Sequence, residues 1–154
     1  MATSLCCGLS GGMSQMTAPP AASLQLDLHR VRTALVEAEL CARPSDRFLA
    51  AHLAALRVAA VVLALRARPG RRGSRPRNAW ALLAEVAPEL GEWATYFAAT
   101  EGKREAVRVG ATAIVSAREA DDLLRDAQAF FGLVERALWR SGRLPVRSQV
   151  GCHD

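Results

Sequence analysis

Two sets of side chains in this 154-residue chain are of types that can do chemistry on, or bind, a phosphate ester. The first is Arg47-x4-His52. A guanidinium holds phosphate oxygens, and an imidazole moves a proton at a ribose 2′-hydroxyl or at the leaving oxygen, so the pair is a candidate catalytic site for metal-independent cleavage of RNA. Five helical residues at about 100° each set the two side chains roughly 140° apart. One site then requires Arg47 to reach around the helix start, or a second subunit to complete it. The plainer reading makes His52 a core histidine, four residues from both Phe48 and Leu56. Arg147-x5-His153 repeats the pattern near the carboxyl end.

The second set is the run from Arg66 to Arg77, Arg-Ala-Arg-Pro-Gly-Arg-Arg-Gly-Ser-Arg-Pro-Arg. Arg66, Arg68, Arg71, Arg72, Arg75 and Arg77 form the candidate nucleic-acid-binding set, because arginine forks grip phosphate oxygens bidentately. Pro69, Gly70, Gly73 and Pro76 forbid a helix there, so an exposed basic loop is expected. No aromatic residue lies within it, which removes base stacking from its repertoire. The alternative is a solvated linker.

The whole chain is basic, with a net charge of +5, and Lys103 is the lone lysine among 20 cationic residues. That balance permits a polyanionic partner without requiring one. Walker A, GxGxxG, HExxH and GxSxG patterns are absent from the sequence. Cys6, Cys7, Cys41 and Cys152 give no CxxC spacing, so no zinc ribbon or thioredoxin-type motif is read. Cys152-His153-Asp154 has metal-ligating types but too few of them for a rigid site. No metal and no cofactor is expected.

Residues 1–22 are small and polar and are read as a disordered leader, with Met13 and Met16 as alternative translation starts to Met1. They lack the charged and apolar regions of an export signal, and a cytoplasmic location is expected. Apolar residues recur every three or four positions in five segments, which predicts an all-α bundle of four to five helices over 23–141. The first runs from Ser23, its N-cap, to Ala42. The second, Ser45 to Ala67, is apolar nearly all round from Phe48 to Leu65 and belongs at the centre of the bundle rather than in a membrane. Asn78 caps a third. Pro88 kinks that helix or starts a fourth ending at Gly110. The fifth opens on a capping box, Ser116 to Glu119, and stops at Gly142 and Pro145. A loose tail is expected over 142–154.

The stretches DRFLAAHLAALRVAAVVLALRAR (46–68), RPRNAWALLAEVAPELGEWATYFA (75–98), KREA (103–106) and SAREADDLLRDAQAFFGLVE (116–135) resemble a small bacterial branch of the HEPN superfamily, the higher eukaryotes and prokaryotes nucleotide-binding domains. The resemblance implies a helical bundle that is often dimeric. Its relatives include metal-independent ribonucleases, toxins of toxin–antitoxin pairs and inactive adaptors. Nuclease members carry Arg-x4–6-His, usually with a polar residue after the Arg, near the start of a late helix. Here Phe48 follows Arg47, and Arg118 meets Leu123, Leu124 and Arg125 where a histidine would fall. The expected function is therefore a non-catalytic module binding RNA, nucleotide or a protein partner, as a homodimer. The alternative is a ribonuclease using Arg47 and His52, and a third reading is a helical partner for proteins alone.

Overall fold

A 23-residue helix made largely of alanine, leucine and valine organises the molecule. In the computed structural model, which describes residues 21–66 and 78–144, this helix, α2 (Pro44–Arg66), packs against four others. They are α1 (Ala21–Leu40), α3 (Ala79–Val86), α4 (Gly91–Arg108) and α5 (Ala117–Arg140). No strand occurs among the described residues, and the expected five-helix all-α bundle is what forms. Ala51, Ala54, Ala55 and Ala59 of α2 have no exposed surface. Their small side chains let neighbouring helices approach closely, and the large residues of the others fill the space between. By length and composition α2 would suffice to cross a membrane, yet half of its most apolar stretch is buried inside the bundle.

Most helix boundaries follow local signals. The Asn78 side chain accepts a hydrogen bond from the Trp80 amide and caps α3. The capping box at α5 closes both ways: Glu119 N–H donates to Ser116 Oγ, and the Glu119 carboxylate accepts from the Ser116 amide. Pro88 starts a single 3-10 turn, Pro88–Leu90, that leads into α4, so the proline begins the fourth helix instead of kinking the third. Gly110 and Gly142 take positive φ, +112° and +68°, where α4 and α5 end. At the end of α5, Arg143 N–H returns to Leu138 O and Gly142 N–H to Trp139 O, which satisfies carbonyls that a helix end leaves bare.

Two boundaries differ from expectation. α1 already includes Ala21 and Ala22, so Ser23 lies inside its first turn and is not its N-cap. Leu144 is 5% exposed, which anchors the chain past Gly142 where a loose tail was expected. The core's apolar surface gathers on one side of α1 (Leu24, Leu28, Val31, Leu35) and of α5 (Leu123, Ala127, Phe130, Val134). Residues 1–20, 67–77 and 145–154, with the expected leader, most of the basic loop and most of the tail, lie outside the described residues.

Candidate functional site

Arg47 and His52 both stand on α2, and the structure gives them different partners. His52 has 0% exposure. Its ring sits edge-on to Trp80 and Phe97, with centroids 5.8 and 6.2 Å away. Its Nε2 lies 3.2 Å from Glu101 Oε2 and 3.3 Å from the Phe97 carbonyl oxygen. Two acceptors at Nε2 place the proton there. Nδ1 is buried and has no partner. A second proton on Nδ1 would be a buried donor with nothing to accept it, so the ring is neutral. Burial pushes its pKa below the ordinary value, and Arg104 pushes the same way, while Glu101 and the Phe97 carbonyl oppose.

Glu101 links this histidine to the surface. Arg104 grips Glu101 Oε1 at 2.6 and 3.1 Å, and Trp80 Nε1 donates to Oε2 at 3.4 Å. Partial burial pushes the Glu101 carboxyl up, but Arg104, His52 and Trp80 together hold it below the usual carboxylate range. The result is a polar knot joining α2, α3 and α4, with the aromatic cluster packed around it.

Arg47 performs another task. Its Nε and Nη2 donate to the Cys41 carbonyl at 3.2 and 2.9 Å, and Nη1 pairs with Asp121. It ties the turn after α1 to the first turns of α5. The two residues expected to act together are thus not brought together within the chain: one is sealed in the core, and the other has its donors committed to backbone and carboxylate.

The remaining arginines divide by charge pairing. Arg30, Arg32, Arg104, Arg108, Arg118 and Arg125 each face a carboxylate. Exposed Arg43 and Arg57 have no carboxylate partner among the described residues, and at the far end of α5 three such arginines follow one another. Arg136, Arg140 and Arg143 are exposed and have no carboxylate partner among the described residues. Arg66, the first of the six arginines in the basic run, closes α2 and pairs with Glu89. Arg66, Arg140 and Arg143 line one groove of about 420 Å³ between the end of α2, the 3-10 turn and the last turns of α5. Its floor is aliphatic, with Val62, Leu65, Leu133 and Ala137 among the lining residues.

Of the six arginines predicted to bind nucleic acid, Arg66 is therefore placed on a cationic rim. Arg68, Arg71, Arg72, Arg75 and Arg77 lie outside the described residues, as do Arg147, His153 and the Cys152-His153-Asp154 cluster. Arg140 and Arg143 escaped the sequence reading, Arg140 because a cation in the last turn of a helix is already explained by the helix dipole. Their surplus over local carboxylates was the available signal. Among the described residues, no three His, Cys, Asp or Glu side chains gather as metal ligands.

Residues 38–135 match the SAV_6107-like HEPN family, and since this is more than half of the chain, the protein belongs to that family. The match spans α2, α3, α4 and most of α5. No curated protein and no solved structure matches the chain.

Proposed function

We propose that this HEPN domain is a non-catalytic module that binds RNA or nucleotide through the arginine-rich end of its bundle. The observation that carries the reading is the concentration of uncompensated charge there. Arg140 and Arg143 stand without carboxylates on the groove that Arg66 also lines, unpaired Arg136 lies one turn back on α5, and from Arg66 the run to Arg77 continues in sequence. Elsewhere most exposed arginines are neutralised by neighbours. Unpaired guanidinium groups close together suit successive phosphates, and release of counterions from the strand drives such binding. The non-catalytic half of the proposal is supported by His52, which has no surface for a substrate to touch and no contact with Arg47.

The module is further proposed to work as a homodimer. On α2 the side chains of Leu49, Ala50, Leu53, Leu56, Ala60, Leu63 and Ala64 fall on one half-exposed face, broken by Arg57. Leu53 is 48% exposed. An aliphatic helix face of that length is the kind of surface a second copy covers. Incubation with single-stranded RNA in EDTA tests the function: RNA is retained and recovered uncut. Cleavage that disappears in His52→Ala, with the fold kept, would instead establish the ribonuclease reading.

A further inference from the structure

Phosphate binding accounts for the rim of the groove and leaves its floor unexplained. A nucleic-acid backbone gains nothing from Val62, Leu65, Leu133 and Ala137. The lining contains no aromatic ring on which a base would stack, and its polar members, Arg66, Glu89, Arg140, Ser141 and Arg143, stand at the helix ends rather than along the floor. A nucleobase seated on that floor would lose its hydrogen bonds to water without replacement. The ligand that fits has an aliphatic body and an anionic head.

We propose that the groove binds a free single-chain amphiphile, its chain against Leu65, Leu133 and Ala137, its carboxylate or phosphate held by Arg66, Arg140 and Arg143. Three features argue for it. The volume, about 420 Å³, is that of a small-molecule site. Leu65, Leu133 and Ala137 are only half-buried, so their outer surfaces are available to a ligand. The carbonyls at the end of α5, which would repel an anion, are turned back: Ala137 O, Leu138 O and Trp139 O accept from Ser141, Arg143 and Gly142 amides. The guanidinium groups are then the dominant charge at the mouth, with Glu89 already engaged by Arg66. The site shares its arginines with the proposed polyanion face and goes beyond that reading by requiring the aliphatic floor.

Titration calorimetry on the full chain tests it with decanoate, decyl phosphate and decanol, each below its aggregation threshold. Saturable binding of both anions is expected, with decanol about tenfold weaker or worse. Leu133→Gln and Arg140→Gln, neither at a sealed position, keep the circular dichroism melt, and each weakens decanoate by at least about tenfold. Decanol binding as well as decanoate, or indifference to Leu133→Gln, overturns the proposal. So does capture only of anionic vesicles or of an acidic amphipathic peptide, with no monomeric amphiphile bound. RNA retention by the same variants keeps the two readings apart. Leu133→Gln should spare RNA while losing decanoate; RNA binding without decanoate removes the amphiphile site alone, and decanoate without RNA removes the polyanion face alone.

Discussion

A neutral imidazole enclosed by aromatic rings makes a specific demand on acidity. The pKa of His52 is lowered in the fold relative to about 6.5 in an unfolded chain, so between those two values the unfolded state takes up the proton that the folded state refuses. The stability due to the neutral ring is fully present above about pH 6.5 and is lost as the pH falls below it. Urea unfolding at about pH 7.5 and about pH 5.5 should show that loss, and His52→Leu should flatten it. A native chain equally stable at both values would contradict the assignment of a neutral buried histidine. Packing sets a second expectation. His52→Ala leaves a cavity beside Trp80 and Phe97 and should cost about 3 kcal/mol. His52→Leu should cost less, because leucine fills most of the space that alanine leaves empty, while Glu101 keeps Arg104 and Trp80 in either variant. Sequence reading held both a core and a catalytic role for this residue. Only the partners decide between them, and Glu101 and Trp80 stand on other helices, far along the chain.

At the scale of the element, the chain announces most of its helix ends and the buried faces of α1 and α5, and conceals the face of α2. Ser116 and Glu119 were legible as a capping box because capping depends on residues three apart, and Gly110 and Gly142 because few other residues adopt positive φ. Ser116→Ala should cost about 1 kcal/mol. Gly142→Ala should cost about 1–2 kcal/mol through the left-handed backbone alone, since no atom stands within 4 Å of a Cβ built there. Thermal melts of the two variants check both figures. The buried side of α2 was not legible. Alanine, valine and leucine occupy its whole circumference, so composition reveals burial without direction. The partners of Arg47 were hidden for a related reason. Folding turns its side chain towards Cys41 and Asp121, the latter seventy-four positions away, and no local spacing announces a partner so distant.

The whole molecule carries two consequences of its shape. Its outward α2 face should bring two copies together, and sedimentation of the purified chain should show a dimer that Leu53→Glu converts to a folded monomer. A monomeric wild type would refute that arrangement. Three arginines gather on one groove where α2 and α5 finish, which no linear scan reveals, because Arg66 and Arg143 line it together only after α5 has packed against α2. The most direct test of the central claim is the salt dependence of single-stranded RNA affinity between about 50 and 200 mM salt, with and without Arg66→Gln, Arg140→Gln and Arg143→Gln combined. Each phosphate contact on a single strand contributes about 0.7 to the logarithmic slope, so loss of three should flatten it by about 2, with the RNA left intact throughout. An unchanged slope would contradict the account, because the arginine end would then play no part in holding the strand.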